Sequence, residues 1–183
     1  ASLLNNALPG QGCAACIMNT VAEAQEVYRR LQDEPIFQNC PIYLFHARFS
    51  MERRLTIEQE LLSLFGKHGD RPGRAVVVAT QVIEQSLDLD FDVMISDLAP
   101  IDLLLQRAGR MHRHQRGERL HTRSLHILLP DLSGSTVDFG ASAYVYHSDI
   151  LLLTAALFAD EQGQPLPQVV RRPYSLSNWI EAV

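Results

Sequence analysis

The strongest chemical signal lies in one short run, Gln106-Arg107-Ala108-Gly109-Arg110-Met111-His112-Arg113. On a helix, offsets of four and seven carry Gln106, Arg110 and Arg113 to a single face, with Arg107 beside them. A guanidinium is planar, permanently charged and shaped for phosphate oxygens. A glutamine next to two arginines adds an uncharged donor and acceptor that can orient water. Together these are the parts of a phosphoryl-transfer site: charge to stabilise the transferring group, and a group to place the nucleophile. Gly109 costs a helix interior roughly 1 kcal/mol against alanine, so it fits a close approach or a loosening helix end.

Charge around this run is unevenly placed. Residues 81–102 hold six acids, among them Glu84, Asp88, Asp90, Asp92 and Asp97, and no lysine or arginine; residues 103–126 hold six arginines against one acid, Glu118. In a chain of net charge −5, such a block points to a local anion site rather than a generic coat for nucleic acid. Asp88, Asp90 and Asp92 space like a calcium loop, but Val93 stands where glycine is required and Ala99 where glutamate is. Asp90 and Asp92 are therefore expected in turn or structural roles. No metal site is expected, since His112 and His114 lack a third ligand. Arg116, Arg119 and Arg123 read as a solvated basic edge open to loose nucleic-acid contact.

Strands alternating with helices must position these groups. Cys13–Met18, Ile42–Phe45, Ala75–Ala79, Phe91–Ile95 and Leu125–Leu129 are short apolar runs, buried-strand candidates. Thr20-Val21-Ala22-Glu23 forms a capping box opening a helix with Val21, Ala24, Val27, Tyr28 and Leu31 at helical spacing. Ser50 caps a second helix whose Ile57, Leu61, Leu64 and Phe65 share a face. A short helical turn is expected over 82–86, a helix from Pro100, and an amphipathic one over 150–159. Apolar strands of this kind indicate an α/β fold, a parallel sheet with helices on both faces. Ligands of such sheets bind at the carboxyl ends of strands, where Thr80, Gln81, Glu84 and Asp88 follow the central one.

One domain suits 183 residues. Residues 1–12 are expected as a lead-in, 13–160 as the domain, and 161–183 as a linker or tail toward a further region. Hydrophobic residues make up 46%, which excludes wholesale disorder, and apolar runs fall short of a membrane span. The chain opens on Ala1, as a segment of a longer protein would. No secretory signal is visible, and three cysteines, an odd and low count, read as a reducing compartment, hence a cytoplasmic location. Cys13 and Cys16 form a CxxC, but on a strand the offset of three places them on opposite faces, as a buried structural pair.

Ala79–Asp88 (ATQVIEQSLD) resembles motif V of superfamily 2 helicases, residues 106–113 resemble their motif VI, and the strand ending in Asn19-Thr20 resembles motif IV. More narrowly, EQSLDLDFD (84–92), FHARF (45–49) and QRAGRMHRH (106–114) resemble the helicase-nuclease of type I CRISPR interference over residues 13–160. The resemblance implies a second, C-terminal RecA-like lobe. In that reading Arg110 and Arg113 are arginine fingers toward the γ-phosphate of ATP, and Gln106 couples that phosphate to the first lobe. Asp88 meets the ribose, Arg107 flanks the nucleotide, and Thr80 touches the backbone of single-stranded DNA. Asn19, Thr20, His46 and Arg48 lie on loops facing the strand. ATP and Mg²⁺ are held mainly by the first lobe.

Three signatures are missing from the sequence: a GxxxxGK[ST] phosphate loop, a DExH or DEAD box, and the family nuclease's His-Asp doublet. The lobe alone is therefore expected to be inactive. Implied partners are single-stranded DNA, a first RecA-like lobe of the same protein, and an RNA-guided surveillance complex, with no membrane. Two alternatives stay open at this point: a non-catalytic nucleic-acid-binding or regulatory module, and a lobe of a superfamily 2 RNA helicase.

Overall fold

A computed structural model of the chain describes residues 1–84, 87–134, 136–160 and 163–166. Five strands, β1 (Gly12–Ile17), β2 (Ile42–Phe45), β3 (Arg74–Ala79), β4 (Val93–Asp97) and β5 (Ser124–Leu128), form one sheet in the order β2-β3-β1-β4-β5. Every pairing is parallel. Among the described residues the α-helices are α1 (Ser2–Ala7), α2 (Val21–Asp33), α3 (Met51–Phe65), α4 (Ile101–Ala108) and α5 (Ser148–Ala156). This is the α/β architecture expected from the apolar runs. Among the described residues no helix is long and apolar enough to cross a membrane.

The period of two along β1 divides the core. Cys13, Ala15 and Ile17 face the α3 side, with Ile57, Leu61 and Phe65; Ala14 and Cys16 face the α2 side, with Ala24 and Leu31. The CxxC thiols thus lie on opposite faces, and burial pushes Cys13 up to about 11 and Cys16 up to about 12. Both are inert packing groups. Thr20 accepts from the Glu23 amide while Glu23 reaches back, the full capping box, and Ser50 caps α3.

Two expectations shift. The lead-in contains α1, and its leucines at i and i+4, Leu4 and Leu8, are buried on the α2 side of the sheet. Helix α5 is apolar on both sides: Leu151 and Ala155 are buried, while Ile150, Leu152 and Leu153 are exposed. No charged residue falls between 150 and 159 to make a polar face. Of the expected tail, 161–162 and 167–183 lie outside the described residues, as do 85 and 86 of motif V.

The topology creates the site. After β1 the chain leaves toward β2; after β3, the strand beside it, the chain leaves toward β4 on the other side. Adjacent loops that diverge open a crevice at the carboxyl edge. Asn19 and Thr80 stand on its two rims.

Candidate nucleotide and nucleic-acid interface

Helix α4 ends at Ala108, earlier than the single-face reading of Gln106, Arg110 and Arg113 requires. Gly109 stops it, and the chain then runs beside Phe91. The Phe91 amide donates to the Arg110 carbonyl at 3.0 Å, and the His112 amide donates back to Phe91 at 2.9 Å. Burying Met111 in the α3-side core fixes this turn, and His112 takes φ +49°. The arginines therefore do not share a helix face. Gln106 sits exposed on α4, and Arg110 and Arg113 lie in the turn beyond it.

Each arginine has its own environment. Arg107 is fully buried: Nε donates to Glu84 Oε1 at 2.7 Å, and Nη1 donates to Ser96 Oγ at 2.6 Å and to the Asp97 carbonyl at 3.3 Å. Expected beside a nucleotide, it instead has no open face, because the acid of motif V draws it inward. Arg110 is 8% exposed and donates to the Glu84 carbonyl at 2.6 Å and to the Leu87 carbonyl. It braces the motif V loop through backbone, and burial together with the Arg113 charge weakens its hold on its proton. Arg113 is the open one: its side chain is 46% exposed, and Nε meets Asp88 Oδ1 at 2.5 Å. Asp88 is itself half exposed, so this pair sits at the solvent boundary.

At the amino edge, around Asp92, part of the expected basic edge is not solvated: Arg116 and Arg119 turn inward, while Arg123 stays exposed. Asp90 and Asp92 are buried and gather Arg71, Arg116 and Arg119. Asp92 also accepts from the Cys13 amide at 2.7 Å, and Asp90 from the Arg113 amide at 2.8 Å. Burial works against the Asp92 carboxylate, yet the Cys13 amide and Arg71 hold it below the usual range. A buried carboxylate pair needs such partners. The cluster fastens the loop after α4 to the start of β1 and β4.

At the carboxyl edge most strand-facing candidates are tied in place. Asn19 is 3% exposed; its Nδ2 donates to the Leu98 carbonyl at 2.7 Å and to Ser142 Oγ at 2.9 Å. Its amide donates to Asp97 Oδ2 at 2.7 Å, and Gln81 Nε2 donates to its carbonyl at 2.9 Å across the crevice. Burial pushes the Asp97 carboxyl up to about 6, against the Asn19 amide, which favours the ionised form. Thr80 is buried; its amide donates to the Phe45 carbonyl and its own carbonyl accepts from Ile83. His46 is buried and stacked on Phe49 with ring centroids 4.1 Å apart; burial lowers its pKa. Thr20 is occupied as a cap, and Arg48 is exposed.

The structure therefore brings the motif V and VI residues into contact and gathers the motif IV residues at the neighbouring edge. Sequence reasoning missed Glu84 as the partner of Arg107, Ser96 beneath it, and Tyr146, whose hydroxyl lies 3.2 Å from Gln81 Nε2 and 3.5 Å from Arg107 Nη2. Glu84 carried a local signal as the acid within the short helical turn expected after the central strand. Tyr146, 39 residues beyond Arg107, carried none.

Comparison with known proteins agrees with this geometry. Residues 10–116 match the family model described as CRISPR-associated nuclease/helicase Cas3, C-terminal. The chain is 36% identical over 183 residues to the CRISPR-associated nuclease/helicase Cas3 of Streptococcus thermophilus, covering 99% of this chain and 18% of that protein. It superposes on a crystal structure of T. fusca Cas3-AMPPNP with a TM-score of 0.85 at 40% identity, covering 99% of this chain and 21% of that one. A chain in a pre-nicking CRISPR RNA-guided surveillance complex gives a TM-score of 0.76 at 37% identity, covering 99% and 22%. The chain thus spans about one fifth of these relatives. A RecA-like sheet with motifs IV, V and VI in contact, matched along nearly its whole length, places this chain in the CRISPR-associated nuclease/helicase Cas3 family as its C-terminal helicase lobe.

Proposed function

We propose that this chain is the second lobe of an ATP-dependent single-stranded DNA translocase acting in CRISPR interference, inactive until joined to a first lobe. The observation that carries this reading is the Arg113–Asp88 pair. Here a half-exposed guanidinium ends motif VI beside a half-exposed acid of motif V. An exposed pair of this kind is worth little, so Arg113 can exchange its carboxylate for phosphate oxygens at small cost. Asp88 is then released toward the ribose. Arg110 follows by trading the Glu84 and Leu87 carbonyls for the γ-phosphate as the motif V loop adjusts. Gln106, exposed on α4, faces the first lobe. Arg107 serves the nucleotide by position, since its side chain is closed off. Bound ATP and Mg²⁺, held mainly by the first lobe, supply the scissile phosphoanhydride and its charge neutralisation.

The strand crosses the carboxyl edge. Arg48 is the exposed donor it can reach, while Asn19, Thr20, Thr80 and His46 set the loop backbone against it. Nucleotide-driven closure then changes the grip on the strand, and hydrolysis releases the closure. The T. fusca relative with AMPPNP and the relative in a surveillance complex support the nucleotide and the recruiting partner. Joining this chain to a first lobe should produce ATP hydrolysis stimulated by single-stranded DNA and weakened by salt. Hydrolysis by this chain alone, or none from the joined lobes, would refute the proposal.

A further inference from the structure

We propose that Tyr146 is a positioning residue that sets the strand-facing loop of motif V against the buried arginine of motif VI. The inference rests on the proposed function of the carboxyl edge, and it adds a residue outside the 10–116 span of the family model.

Three motifs meet at the segment between β5 and α5. Ser142 Oγ accepts from Asn19 Nδ2 of motif IV at 2.9 Å. Tyr146 Oη accepts from Gln81 Nε2 of motif V at 3.2 Å and from Arg107 Nη2 of motif VI at 3.5 Å. One phenolic oxygen has lone pairs for both. Gln81 is also the residue that spans the crevice to the Asn19 carbonyl. Its side-chain amide therefore has two anchors, the Asn19 carbonyl and the Tyr146 hydroxyl, and Tyr146 is the one shared with Arg107. Arg107 lies three residues before Arg110, so a shift of the phosphate-sensing turn reaches Gln81 and Thr80 through this hydroxyl.

The ring itself is held independently. Tyr146 packs against the cluster of Leu98, Ile101, Leu104 and Leu151. A Tyr146→Phe change keeps that packing and removes only the shared acceptor. Tyr144, 93% exposed two residues earlier, supplies a control.

The test has two arms. In the 183-residue chain, Tyr146→Phe should speed hydrogen exchange at residues 80–84 about five-fold, the worth of one neutral hydrogen bond, without changing β1 and β3 amides. In the full-length protein it should raise the KM for single-stranded DNA about five-fold with kcat within two-fold, while Tyr144→Phe changes neither. Unchanged exchange at 80–84, or uniform acceleration across the sheet, refutes the positioning role. Altered exchange beside an unchanged KM refutes the strand-facing function of this edge. Wild-type protein without strand-stimulated hydrolysis refutes the reading on which the inference rests.

Discussion

Replacing Arg107 with methionine separates a positioning arginine from a nucleotide ligand. The side chain is fully buried, and its partner Glu84 has a side chain 8% exposed. Arg107→Met keeps most of the volume and removes the charge, leaving the Glu84 carboxylate buried without its cation. Orphaning one member of a buried pair costs about 3–5 kcal/mol. Ser96 Oγ and the Asp97 carbonyl lose a donor as well. For a domain of this length each kcal/mol lowers Tm by about 2–4 °C, so Tm should fall by roughly 6–20 °C. Removing both charges, as Glu84→Gln with Arg107→Met, should recover part of the loss because no orphan remains. Urea unfolding of the four proteins of this cycle gives the coupling directly. Arg113→Met, at the half-exposed pair, should cost less than about 1 kcal/mol in the same assay. A loss below about 1 kcal/mol for Arg107→Met would mean that its guanidinium is hydrated and free to leave Glu84, which would refute the positioning argument.

Other outcomes follow from the same structure. The Asp97 carboxyl titrates near 6 in the fold against an ordinary 3.8, so the native state binds more protons than the unfolded state between these values. Stability should therefore fall as pH rises from about 4 to about 6, by at most roughly 3 kcal/mol, and Asp97→Asn should flatten that slope in unfolding curves across pH. Asp90→Ala leaves Arg71, Arg116 and Arg119 around a lost carboxylate and should cost about 3–5 kcal/mol, with trypsin then cutting the 112–123 loop far faster. Thr20→Ala removes the cap on the Glu23 amide and should cost about 1 kcal/mol by urea unfolding, with the sheet intact.

What the sequence made legible was local. The strands were readable because a sheet covered on both faces makes them apolar throughout, and the Thr20 and Ser50 caps because their partners lie three residues away. The motif residues were readable by type and spacing. Partner choice was not. Nothing near Asp92 announces the Cys13 amide, 79 positions away, and nothing near Arg107 announces Tyr146. The acids of the DLDFD run alternate like a solvent face, yet Asp90 and Asp92 are buried, because arginines from two distant loops neutralise them. The arginine face failed for a related reason. Helical periodicity was projected through Gly109, while the gain from burying Met111 against the sheet turned the chain out of the helix.

Arg113, supported by Arg110, is proposed to complete a triphosphate site whose other wall is a first lobe. The most direct measurement is steady-state ATP hydrolysis by the full-length protein carrying Arg113→Ala, with single-stranded DNA saturating. An arginine finger is worth about 10³–10⁵ in rate, so kcat should fall at least about 10³-fold while DNA binding and Tm hold. Turnover close to wild type, still stimulated by DNA, would contradict the account.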